Sequence, residues 1–169
     1  MKTSRTTRPD PPPNPVLLEL TRSTGYAAPL SYYVITTMAN VRAVLIVDDD
    51  ATLRSALESS LEAVGYRVLS TGDPDTAYRL LTGEPVTAVL LDVRLPTMSG
   101  LALSLAISRR WPYLEGRIAL MTGDADAPDV RAWARRNPCT LLRKPFTLRQ
   151  VATWLHGVAR AADPAASAG

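Results

Sequence analysis

From Ala43 onward the chain alternates short apolar runs with amphipathic stretches. The runs at Ala43–Val47, Arg67–Ser70, Thr87–Leu91, Arg117–Met121 and Thr140–Arg143 have strand length, and each is bounded by turn-forming or charged residues. Between them, stretches near 51–64, 74–82, 100–110, 127–136 and 147–160 predict helices. The first aligns Leu53, Leu57, Leu61 and Val64 on one face, and the last aligns Leu148, Val151, Leu155 and Val158. Gly65 is placed to end the first helix in a left-handed conformation. Strands alternating with helices predict βαβ units, and right-handed crossovers leave few topologies. The expected fold class is α/β: a doubly wound five-stranded parallel sheet in order 2-1-3-4-5.

The pattern stops at both ends. Residues 1–40 hold six of the 14 prolines, few charges and no sustained periodicity, so they read as a poorly ordered leader. Leu30 to Met38 has the β-branched and aromatic content of a strand but no evident pairing partner, and Met38 is itself a candidate start. Residues 41–161 form the expected domain and 162–169 a flexible, Ala-rich tail. With 46% hydrophobic and 21% charged residues among 169, the composition is that of a globular protein. The net charge of +3 comes with basic residues spread along the chain, which gives no support to a nucleic-acid patch. One cysteine, Cys139, excludes an internal disulfide, and with a single histidine it excludes a zinc site. No apolar run has the roughly 20 residues of a membrane helix, and the start lacks a signal-peptide core, so the expected location is the cytoplasm.

Polar residues cluster at the expected strand ends. Asp48, Asp49 and Asp50 follow Val44-Leu45-Ile46-Val47, and Asp92 follows Ala88-Val89-Leu90-Leu91. In an open α/β sheet, ligands bind outside the carboxyl ends of the strands, where the strand order reverses. Order 2-1-3-4-5 brings Asp48, Asp49 and Asp92 toward one spot. Three carboxylates there repel one another unless a cation neutralises them, and oxygen ligands without nearby His or Cys favour Mg²⁺. Asp50, just ahead of Ala51-Thr52-Leu53, suits a helix cap instead. Thr122 and Lys144 follow the fourth and fifth strands. A hydroxyl and an ammonium beside carboxylates suit a phosphoryl group, with Asp92 as candidate nucleophile, Mg²⁺ and Lys144 neutralising charge, and Thr122 donating a hydrogen bond.

Four segments carry a resemblance: Val44 to Asp50, Leu91-Asp92-Val93-Arg94-Leu95-Pro96-Thr97-Met98-Ser99-Gly100, Met121-Thr122-Gly123 and Leu142-Arg143-Lys144-Pro145-Phe146. Together, in this order and spacing, they resemble the receiver domain of bacterial two-component response regulators over about residues 42–160. The resemblance implies a flavodoxin-like receiver fold of the single-domain, chemotaxis-regulator kind. It implies that Asp92 accepts a phosphoryl group from a sensor histidine kinase or phosphotransfer protein. It further implies that Asp48, Asp49 and Asp92 hold Mg²⁺ with the backbone carbonyl of Arg94, that Thr122 and Lys144 contact the phosphoryl group, and that Lys144–Pro145 is cis. Such a domain catalyses only its own phosphorylation and dephosphorylation and is otherwise no enzyme.

By the same resemblance, Arg94 and Asp124 occupy the positions that gate water during dephosphorylation, and their opposite charges suggest a pair across the site mouth. Leu141 departs from the pattern, standing where many receivers carry Tyr or Phe. The implied output is a contact with a downstream protein through the last two helices and last strand, with Trp133 or Trp154 as anchors. A phosphorylation-dependent dimer is compatible with it, and direct DNA or membrane binding is not expected. His156 reads as a surface residue of the last helix. The alternatives are a receiver module of a hybrid kinase or phosphorelay, and an aspartyl-phosphate phosphatase, which would want a second Asp where Arg94 stands.

Overall fold

The computed structural model describes residues 43–137 and 139–161. The leader, Leu30 to Met38 and the tail lie outside them. Five parallel strands, β1 (Ala43–Val47), β2 (Arg67–Thr71), β3 (Val86–Asp92), β4 (Ile118–Thr122) and β5 (Thr140–Arg143), form one sheet in order β2-β1-β3-β4-β5. The connecting helices are α1 (Ala51–Glu62), α2 (Pro74–Gly83), α3 (Gly100–Arg110), α4 (Pro128–Ala134) and α5 (Leu148–Ala161).

The central strands are apolar on both faces because both faces are covered, the rule for parallel sheets. Leu45, Val47, Val89, Leu91 and Leu120 pack against Ala77 and Leu81 of α2, Leu103 and Ile107 of α3 and Val130 of α4. The intervening Val44, Ile46, Leu90, Ala119 and Met121 pack against Leu57 and Leu61 of α1 and Val151, Leu155 and Val158 of α5. Thus α4 and α5 flank the β5 edge from opposite faces.

Each helix start has a chemical cause. Asp50 caps α1, its Oδ1 accepting from the backbone N–H of Thr52 (2.9 Å) and Leu53 (3.1 Å). Asp73 does the same for α2 through Thr76, and Ser99 for α3 through Leu101. Gly65 follows α1 with φ +90°, a conformation open to glycine at no steric cost.

Two expected core residues are exposed. Val64 lies beyond the end of α1 in the turn made by Gly65, off the helix face, and is 56% exposed. Leu148 begins α5, ahead of the turn where the helix meets the sheet, and is 39% exposed. The fourth helix ends at Ala134, short of residue 136. A 3₁₀ turn at Pro112–Leu114 went unforeseen: it buries Leu114 behind Trp111, a tryptophan the periodicity did not place.

Candidate functional site

The parallel register brings the polar residues to one rim. Val47 pairs with Leu91, Asp92 with Met121 and Thr122 with Arg143, so the strands end nearly level. The ladder runs one residue further: Val93 N donates to Met121 O (2.9 Å) and Lys144 N to Thr122 O (2.7 Å). Asp48, Asp92 and Thr122 are buried, and Lys144 is partly covered.

Lys144 joins two of the carboxylates. Its Nζ donates to Asp48 Oδ2 (2.7 Å) and to Asp92 Oδ1 (2.6 Å). The other oxygens are held by backbone: Asp48 Oδ1 accepts from Asp50 N (3.0 Å), and Asp92 Oδ2 accepts from Arg94 N (2.6 Å). Burial pushes the Asp48 carboxyl above its ordinary value, opposed by its hydrogen bonds from Lys144 and the Asp50 N–H. Burial alone would lower Lys144, but its two carboxylate partners outweigh it and hold the ammonium above its ordinary value. A buried lysine costs much less when paired in this way.

Asp92 is presented by a tight loop. Gly100 N donates to Val93 O (2.9 Å), and Arg94 and Ser99 form an isolated antiparallel bridge. A Cβ on Gly100 would fall 1.9 Å from the Asp92 carbonyl oxygen, so only glycine lets α3 start directly behind Asp92. Lys144–Pro145 is cis, as the resemblance implies. Thr122 Oγ1 accepts from Asp124 N (3.1 Å), which fixes the β4–α4 loop over the rim.

The expected convergence is partial. Lys144 ties Asp48 to Asp92, whereas Asp49 is exposed and lines a cleft of about 320 Å³ with Val93, Arg94, Leu95, Pro96, Ser99 and Asp129. Among the described residues no three carboxylate, His or Cys side chains are arranged as a metal-holding group. The reason is local: Asp48 points inward to Lys144, and the next residue along an extended backbone faces the other way. The donor set still fits a hard cation, because it is all oxygen and one ammonium leaves three carboxylates under-neutralised.

The expected Arg94–Asp124 pair is replaced by another. Arg94 Nη2 lies 3.8 Å from Asp129 Oδ2 in the first turn of α4, while Asp124 Oδ1 accepts from Asp126 N (3.1 Å) and closes its own turn. Both members of the Arg94–Asp129 pair are more than half exposed, so it is worth about 0–1 kcal/mol. Sequence reasoning missed Asp129 because an acid in a first helical turn reads simply as a dipole partner. It also missed Arg54 of α1, whose Nη1 donates to Asp48 O (2.5 Å); no local pattern signals that reach.

Leu141 is half-buried in β5 and packs, with Trp133 and Cys139, against the core beneath α4. Trp133 and Trp154 are both partly buried at helix–sheet interfaces. The Trp133 Nε1 is buried with no hydrogen-bond partner among the described residues. His156 is exposed on α5, as expected. No described helix is long and apolar enough to cross a membrane.

Comparison with known proteins agrees with this geometry. Residues 44–156 match the response regulator receiver domain family. The transcriptional regulatory protein AruR of Pseudomonas aeruginosa is 41% identical over 97 residues, covering 54% of this chain and 38% of AruR. A probable chemotaxis protein CheY of Rhizobium etli is 28% identical over 116 residues, covering 68% of this chain and 90% of that protein. The chain thus spans well under half of AruR and nearly all of the CheY relative. Among solved structures, the chemotaxis protein CheY4 of Vibrio cholerae superimposes with a TM-score of 0.64 at 24% identity, over 70% of this chain and 99% of that one. With its five-stranded fold, its acidic rim and a family match over most of its length, the chain belongs to the response regulator receiver domain family of two-component systems.

Proposed function

We propose that Asp92 is the phosphoacceptor of this receiver, taking its phosphoryl group from a sensor histidine kinase or a phosphotransfer protein. The observation that carries the reading is the Asp92 carboxylate itself, buried at the end of β3 and held between the Lys144 ammonium and the Arg94 N–H, beside Asp48. In the reaction an Asp92 oxygen attacks phosphorus, the P–O bond forms, and the P–N bond to the donor imidazole breaks, with the proton returning to that nitrogen. Lys144 balances charge on the transferred oxygens, and Thr122 turns its hydroxyl from the Asp124 N–H toward one of them. Asp48, Asp49, Asp92 and the Arg94 carbonyl are the groups that hold Mg²⁺, whose chemistry is to neutralise the phosphoryl oxygens. Arg94, with Asp124 and Asp129, frames the approach of the hydrolytic water. The domain acts on no other substrate, and its output is a changed protein–protein contact through α4, β5 and α5.

The test is incubation with Mg²⁺ and acetyl phosphate, followed by intact mass measurement. One base-labile phosphoryl group is expected, lost in Asp92→Asn and on chelation of the metal. Equal modification of Asp92→Asn would move the nucleophile elsewhere.

A further inference from the structure

The junction between β1 and α1 is pinned at more points than a helix cap requires. Asp48 N donates to Thr71 O (3.1 Å), Asp48 Oδ1 accepts from Asp50 N (3.0 Å), and Oδ2 accepts from Lys144 Nζ (2.7 Å). That leaves the backbone carbonyl of a fully buried residue just past the end of β1. A buried carbonyl without a partner is costly, and Arg54 Nη1 supplies the bond at 2.5 Å. The reach follows from the helix. Arg54 N donates to Asp50 O (3.0 Å), and side chains on a helix lean toward its N-terminus, so a long one here extends back past the cap. Charge does not explain the placement. A cation this close to a helix N-terminus opposes the helix dipole, and among the described residues no carboxylate lies within ion-pair distance of Arg54. Gly72, just after β2, leaves room for the contact. A Cβ there would stand 3.0 Å from Arg54 Nη1, 3.2 Å from Asp48 O and 3.4 Å from Asp49 Cα, pressing on both partners of the bond.

We infer that Arg54 is a positioning residue for the metal site: by holding the Asp48 carbonyl it fixes the peptide between residues 48 and 49, and so aims the Asp49 carboxylate into the cleft beside Val93 and Arg94. Among the described residues nothing bonds the exposed Asp49 carboxylate, so its direction is inherited from its backbone. The inference rests on the proposed Mg²⁺ role of Asp49, to which it adds the group that sets the geometry of that ligand. Position and charge act here in opposite directions, which makes them separable. A guanidinium beside the acidic rim repels a divalent cation, so removing the charge alone would tighten Mg²⁺ binding. Removing the bond frees the peptide and loosens Mg²⁺ binding instead. A purely structural role, satisfying one buried carbonyl, would lower stability without weakening the metal.

The experiment is calorimetric titration of Mg²⁺ into the full chain as wild type, Arg54→Met and Gly72→Ala, with amide hydrogen exchange followed by NMR on the same samples without metal. Methionine keeps a long, helix-favouring side chain and removes the donor, and circular dichroism checks folding. Mg²⁺ binding should weaken about threefold to tenfold in Arg54→Met, equivalent to about 0.7–1.4 kcal/mol. Gly72→Ala displaces the guanidinium without changing any charge and should weaken binding in the same direction. Without metal, the Asp50 amide, which is bonded to Asp48 Oδ1, should exchange faster in both variants, while Leu45 and Ile46 in β1 keep their wild-type rates. Unchanged or tighter Mg²⁺ binding in either folded variant overturns the proposal. Weakened binding with unaltered exchange at Asp50 also overturns it. Should Arg54→Met fail to fold, Gly72→Ala decides by the same two readings. Wild-type protein that takes up no Mg²⁺ defeats the metal reading and Arg54's role together, whereas wild-type binding matched by both variants defeats the role of Arg54 alone.

Discussion

Replacing Lys144 by methionine keeps the stem of the side chain and removes only the ammonium, which isolates the charge at the centre of the site. The Asp48 and Asp92 oxygens, bonded to the same nitrogen at 2.7 and 2.6 Å, lie within about 5 Å of each other. Without the ammonium their repulsion is about 3 kcal/mol at an effective dielectric near 20. This agrees with the roughly 3–5 kcal/mol typical of breaking a buried pair. Protonating one carboxylate at pH 7 instead costs about 4 kcal/mol from an ordinary aspartate, so it offers little escape. Lys144→Met should therefore lose about 3 kcal/mol at pH 7, or roughly 10 °C in Tm for a domain of this size.

The pH dependence of the difference is fixed in sign. In the variant the Asp48 carboxyl, already raised by burial, loses the lysine that opposed the rise, so its charge and the repulsion disappear as it protonates and the deficit shrinks as pH falls toward the carboxylate range. In the wild type the raised Lys144 contributes fully below 10.5, and its contribution is lost as pH rises through its higher folded value. The deficit is then largest between these limits. If the carboxylates also hold Mg²⁺, the ion should restore much of the variant's stability, about 2.7 kcal/mol at a hundredfold excess over Kd. Urea unfolding across pH, with and without Mg²⁺, measures all of this. A loss below about 1 kcal/mol, or one equal at every pH, would refute the reasoning.

Further outcomes follow from the same geometry. Gly100→Ala drives a methyl group into the Asp92 carbonyl and should cost about 3 kcal/mol or more while slowing phosphorylation, both read on one sample by urea unfolding and mass. Asp50→Ala removes the cap of α1 and should cost about 1 kcal/mol, with Asp50→Ser restoring most of it. Loss of the phosphoryl group at saturating Mg²⁺ should quicken in Arg94→Ala, and a threefold to tenfold change corresponds to about 0.7–1.4 kcal/mol of barrier. Asp129→Ala and Asp124→Ala, measured beside it, assign the partner; unchanged or slower loss in all three removes the gate.

The strands, their order and the rim residues were legible in the sequence because each follows from a local cause. Apolar runs of strand length between amphipathic stretches leave few ways to wind a sheet, and residues that follow such runs necessarily fall at its carboxyl edge. Asp50 as a cap and Gly65 as a terminator were equally local. What pairs with what was not. Parallel register and the inward turn of Asp48 decided that Lys144, far along the chain, would bind two carboxylates while Asp49 faced the cleft. The fold of the β4–α4 loop decided that Arg94 would meet Asp129 and leave Asp124 to its own turn. Backbone propensity and periodicity act over a few residues and are written in the order of the chain, whereas the partner of a charged side chain depends on distances that only the packed sheet defines.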